Sequence, residues 1–107
     1  MARIETTIAL VNDLGLTPVT AYTVPASTRT IVTGILVSNI AGANRDITLV
    51  IERSAVQYSI FEAVQVARDS TLEFSGHIVL DTVSDEIIVT ASGASSFDII
   101  ISGWENT

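Results

Sequence analysis

The side chains able to move protons at neutral pH come down to one histidine, His77, with Asp81 shortly after it and serines on either side. A nucleophilic triad needs its serine exposed on a sharp strand-to-helix turn, and no Gly-x-Ser-x-Gly segment exists here to do that. His77, next to Gly76, therefore reads as a turn histidine, and no catalytic residue is expected. Asp81, Asp85 and Glu86 put three carboxylates close together, a set of oxygen ligands that suits calcium. Their spacing does not match an EF-hand loop, and Asp81 to Glu86 reads more simply as a solvated connection between two strands. There is no cysteine, so neither a disulfide nor a thiolate metal site can form. Ser92-Gly93-Ala94 lacks the lysine and the following helix of a phosphate-binding loop. No cofactor and no metal is implied.

The aromatic residues are Tyr22, Tyr58, Phe61, Phe74, Phe97 and Trp104. A glycan-binding face offers exposed rings, whereas most of these fall where strand spacing already places them in a core. Trp104 is the exception, because it lies near the C-terminus on the face opposite Phe97, Ile99 and Ile101. It either seals the end of the fold or holds a neighbouring subunit, where tryptophan is often an energetic centre.

Strands must position these residues. Val, Ile and Thr number 12, 14 and 13 of 107 residues, and branching at Cβ suits a pleated surface. Apolar runs alternate with small polar breakers at the spacing of an antiparallel sandwich. In Arg3 to Val11 the period of two puts Ile4, Thr6, Ile8 and Leu10 on one face, before the turn Asn12-Asp13-Leu14-Gly15. A short strand at Thr20 to Val24 ends at Pro25. Thr30 to Ile40 is apolar on both faces, with Ile31, Ile35 and Val37 on one and Val32, Leu36 and Ile40 on the other. Further runs at Ile47 to Ile51, Tyr58 to Val66, Leu72 to Phe74, Ile78 to Leu80, Ile87 to Ala91 and Phe97 to Trp104 bring the total to eight or nine short strands. The last two read as a hairpin about Ser92 to Ser96. The expected fold is all-β: a single antiparallel β-sandwich or jelly roll over residues 1–107, with residues 1–12 as an N-terminal arm or exchanged strand.

The charge balance narrows the partners. Twelve acidic side chains against five arginines give a formal charge of −7, the wrong sign for gripping a phosphate backbone. No apolar run approaches the length of a membrane span, and the first residues carry no secretory pattern. Apolarity on both faces of Thr30 to Ile40 and in Ile99 to Ile101 exceeds what a lone two-layer sandwich covers easily. Some of it is expected to meet another chain, with Ile4, Ile8 and Trp104 as the interface residues. The N-terminal strand, as an open edge, is also a natural element for pairing with another molecule.

Two longer patterns carry a resemblance. Tyr22-Thr23-Val24-Pro25-Ala26 followed by Thr30-Ile31-Val32-Thr33-Gly34-Ile35-Leu36-Val37-Ser38-Asn39 resembles the opening of small β-sandwich virion proteins of tailed bacteriophages. Ile78-Val79-Leu80, Ile87 to Gly93 and Phe97-Asp98-Ile99-Ile100-Ile101-Ser102-Gly103-Trp104-Glu105 resemble the closing pattern of the same family. The likeness spans roughly residues 20 to 105 and leaves out Arg3 to Val11. Asp85-Glu86 stands where such proteins commonly carry Gly-Asp, so the turn there is expected to differ. The motifs are structural, and no catalytic residue is carried over.

The resemblance implies a capsid decoration or cement protein on the outer surface of a virion, made in the host cytoplasm. Its partners would be the major capsid protein or other virion proteins and further copies of itself, a trimer being one such form. Nucleic acid and membrane are not expected as partners. A tail, neck or fibre component that contacts a host surface is the alternative, and a small glycan- or calcium-binding module is a second.

Overall fold

Alternating apolar and polar side chains build eight strands and no helix in the computed structural model, which describes residues 5–106. In chain order they are β1 (Thr6–Leu14), β2 (Val19–Thr23), β3 (Arg29–Asn39), β4 (Arg45–Arg53), β5 (Val56–Val66), β6 (Thr71–Leu80), β7 (Glu86–Ala91) and β8 (Phe97–Asn106). Four antiparallel pairings, β1 with β8, β2 with β7, β3 with β6 and β4 with β5, make the chain one long hairpin folded back on itself. Rolling that hairpin brings β3 against β8 and β4 against β7. The result is two four-stranded sheets, ordered β1-β8-β3-β6 (sheet A) and β2-β7-β4-β5 (sheet B), which is the jelly roll.

The inner faces close on one core. Sheet A contributes Ala9, Val11, Leu14, Val32, Ile35, Val37, Leu80, Phe97, Ile99 and Ile101, and sheet B contributes Ile47, Leu49, Ile51, Val66, Ile87, Val89 and Ala91. Phe61 and Phe74, at 6.4 Å and 74° to one another, fill the side where the β5 and β6 edges face each other. Among the described residues no helix is long and apolar enough to cross a membrane.

Four details differ from the sequence reading. β1 runs on to Leu14, so Asn12, Asp13 and Leu14, expected in a turn, are strand residues held by pairing with β8. Thr71 to Leu80 is one strand and not two, so His77 lies within β6 and not in a turn. Ser92 to Ser96 does not close a hairpin, because β7 and β8 belong to opposite sheets and the loop crosses the sandwich. The tight hairpin is at Ser54-Ala55, where Arg53 pairs with Val56 and both turn residues have positive φ, 52° and 64°. Asn-Gly is the usual signature of such a turn, so Ser-Ala gave no warning of it.

Polar groups fix the loops. The buried side chain of Asn39 donates to the carbonyls of Ala43 (2.8 Å) and Val66 (3.0 Å) and accepts from the Ala41 N–H (2.8 Å), so every partner of the amide oxygen and nitrogen is backbone. At the opposite end, Tyr22 of β2 ties the sheets together: its hydroxyl donates to the Glu105 carboxylate and lies 2.7 Å from Thr30 Oγ1. Burial, with help from the Glu105 carboxylate, pushes the Tyr22 phenol up from 10.0 to about 12. The unfolded chain would lose this proton near pH 10 while the folded chain keeps it to about 12. The stabilisation is therefore complete below pH 10 and is lost as pH rises through that window. Thermal melts of the protein are expected to drop between these pH values, and the drop is expected to shrink in Tyr22→Phe. An equal drop in the variant would remove Tyr22 as its cause.

Candidate docking face

The outer surface of sheet A is crossed by rows of side chains set by strand register. In the first, the Asp98 carboxylate accepts the Asp13 N–H at 2.9 Å, and Ser38 and Thr71 share a hydroxyl contact of 3.2 Å. The second aligns Leu10, Ile100, Leu36 and Glu73 across all four strands. Leu10 is 71% exposed, Ile100 41% and Leu36 39%, so three large apolar side chains stand side by side in water. Leu10 also shares a hollow of about 430 Å³ with the exposed Leu16 and Val19, which carries the apolar band around the β1 edge.

The third row is Thr7, Ser102, Gly34 and Ser75. With no large side chain among them, it sinks into a trough of about 470 Å³. Glu5 and Glu73 line the trough together with the hydroxyl residues Thr6, Thr7, Thr33, Ser75 and Ser102, and among the described residues no cationic side chain does. Beyond it stands a second ridge, where Trp104, Ile31 and Val79 are cross-strand neighbours. The Trp104 ring meets His77 edge-on at 6.1 Å and 69°. Ile31 is buried although it points away from the core.

This face was hidden from the sequence by β-bulges. An extra residue at Ile8 shifts β1 out of phase, so Ala9 and Val11 enter the core and Leu10 points out, the reverse of the simple alternation. Thr33 does the same to β3, placing Val32, Ile35 and Val37 inside and Ile31 and Leu36 outside. A bulge has no obligatory residue type, and the alternation itself was the only signal available.

Of the interface residues expected from sequence, Ile4 lies outside the described residues. Ile8 is half-buried and packs against the core from its bulge. Trp104 is half-buried on the second ridge, opposite the inward-facing Phe97, Ile99 and Ile101 as expected. β1 itself is hydrogen-bonded to β8 of the same chain from Thr6 to Leu14.

The residues considered for catalysis or calcium are drawn elsewhere. His77 faces Trp104, and among the described residues no hydrogen bond joins it to Asp81 or to a serine. Asp81 and Asp85 converge on Arg53, not on a vacant site. Arg53 Nε and Nη2 donate to the two Asp85 oxygens at 2.9 and 2.6 Å, and Nη2 also reaches Asp81 at 3.2 Å. The Asp85 hydrogen bonds and charge raise the pKa of the guanidinium above its ordinary value. Asp85 is 1% exposed, so the loop that read as solvated carries an inward carboxylate whose ion pair with the half-exposed Arg53 clamps it to the end of β4. Among the described residues no group of three or more His, Asp or Glu side chains gathers as a metal site would.

Known protein families and characterised proteins were compared with the chain, and none of them matches it. What the fold and the face define is an eight-stranded jelly roll that leaves an apolar band uncovered on one sheet.

Proposed function

We propose that this protein is a non-enzymatic assembly protein of a tailed-phage virion that decorates and cements the capsid shell. The observation that carries the reading is the exposed row Leu10, Ile100 and Leu36 and its continuation to Leu16 and Val19. A jelly roll with its own complete core has no internal use for that band, and contiguous exposed apolar surface of this kind marks protein contact sites. The motif resemblance points the same way. The work performed is adhesion: each copy covers apolar surface on its neighbours, in specific interfaces of roughly 1,600 Å², and repetition over a shell multiplies the effect. Homo-oligomerisation, as a trimer for example, belongs to this proposal through surfaces other than this band. The acidic balance fits the outside of a particle filled with nucleic acid better than its interior.

The test is coexpression with the structural proteins encoded beside its gene, followed by density-gradient sedimentation. The chain is expected to travel with assembled shells, and Leu36→Asp/Ile100→Asp, folded by circular dichroism, is expected to stay at the top. A wild-type chain left at the top while shells form overturns the reading. Travel with tails in place of shells also overturns it, in favour of the tail, neck or fibre alternative.

A further inference from the structure

We infer that the outer face of sheet A takes a partner protein of opposite charge, one that sets a cationic side chain beside an apolar patch, and that it does not take a second copy of this chain. The inference rests on the proposed role of this face in assembly and names what it meets.

The edges of the sheets disfavour the strand-to-strand route to self-association. β1, β2, β5 and β6 are the four edge strands, and each carries a break in register with its extra residue on the edge strand itself. On β1 these breaks are at Ile8 and before Leu14, on β2 at Ala21, and on β5 around Ile60 and Ala63, the latter with φ 48°. Bulged edges offer poor templates for another strand. Association is left to a face.

Charge then selects the partner. Glu5 and Glu73 line the trough, Asp98 stands in the row on the far side of the apolar ridge, and the hydroxyls between them can all accept hydrogen bonds. The cation of this face, among the described residues, is Arg29 at the far end of β3, beside a separate hollow that it shares with Asp81. Two such faces brought together would oppose carboxylate to carboxylate, in a molecule of net charge −7. An arginine or lysine from another protein would instead lie in the trough, its charge between Glu5 and Glu73, while an apolar neighbour covered Leu10, Ile100 and Leu36. Four strands about 4.8 Å apart and about 30 Å long give a face of some 600 Å². With the β1–β2 loop added, that approaches one side of a standard interface.

The experiment titrates the isotope-labelled chain with an octapeptide of alternating leucine and arginine, followed by amide chemical shifts. Changes are expected to concentrate at Gly34, Leu36, Ile100 and Ser102, and to fade as salt rises from about 0.05 to 0.5 M. Glu5→Gln/Glu73→Gln is expected to weaken binding roughly five-fold or more, while Glu52→Gln/Glu62→Gln, the same change of charge on the other sheet, leaves it within about two-fold. Shifts scattered over the surface, or equal weakening by both double variants, would overturn the inference. So would concentration-dependent shifts at the same amides without peptide, which would identify a second copy as the occupant. None of these results depends on a virion, so a chain that ignores shells but passes this titration refutes the assembly role alone.

Discussion

Gly103→Ala is expected to be the most damaging single methyl group that can be added to this protein. Gly103 sits in β8, buried, with Val32 of β3 on one side and Thr6 of β1 on the other. A Cβ there would run into the Ile31 carbonyl oxygen and lie 3.0 Å from its carbon and 3.1 Å from Val32 Cα. These are backbone atoms of the adjoining strand, so no side chain can swing aside. The bulge at Thr33 brings the two backbones this close, and the ladder between β3 and β8 has to open to admit the methyl. Overpacking commonly costs about 1–3 kcal/mol, and with backbone as the obstacle the loss is expected at about 3 kcal/mol or more. That corresponds to a fall in Tm of more than about 10 °C. Ser102→Ala, one residue away on the outer face, is expected to stay within about 0.5 kcal/mol. Denaturant and thermal unfolding of both variants check this, and a Gly103→Ala protein as stable as the parent would mean that β8 and β3 are not so tightly apposed.

Arg53→Met is expected to be the second severe change, and a worse one than Asp85→Asn. The asymmetry follows from exposure: the Arg53 side chain is 39% exposed and Asp85 1%. Losing the arginine strands a carboxylate inside the protein without its counter-ion, whereas losing the carboxylate leaves a guanidinium that can turn to water. An asparagine at position 85 also keeps an oxygen near the Thr82 N–H, which now donates to Asp85 at 3.4 Å. The Tm of Arg53→Met is expected to fall by on the order of 10 °C, that of Asp85→Asn by less, and the double variant is expected to recover part of the first loss. Equal losses, with no recovery in the double variant, would show that the pair acts through packing and not through charge. The loop held by this pair also receives the Val24 N–H on the Asp85 carbonyl at 2.9 Å, so its release is expected to loosen the end of β2 as well.

Much of the architecture was legible because it depends on composition and local period. The abundance of β-branched residues, the recurrence of breakers and the near-complete absence of helical periodicity lead to an all-β sandwich of about eight strands. The inward set of β4, Ile47, Leu49 and Ile51, and that of β8, Phe97, Ile99 and Ile101, follow from unbroken alternation, and the structure places both in the core. Where alternation breaks, local period no longer tells inside from outside. Extra residues at Ile8 in β1 and Thr33 in β3 reverse the phase of what comes next, so Leu10 and Leu36 exchange faces with their neighbours, and β1 breaks once more before Leu14. The candidate face is assembled from those two strands and β8, and for that reason it was only partly visible. The excess of apolar residues was plain, but the row in which they stand was not.

The class of fold, the core positions of the regular strands and the acidic charge balance follow from residue type and nearest neighbours alone. Tertiary structure decided that β7 and β8 part to opposite sheets, that Asp85 is buried against Arg53, and that Leu10, Ile100 and Leu36 line up across β1, β8 and β3. Those are relations between residues far apart in the chain, fixed by strand order and by bulges whose position depends on how backbones fit against one another. No local pattern encodes that fit, and it places an exposed apolar row beside an acidic trough.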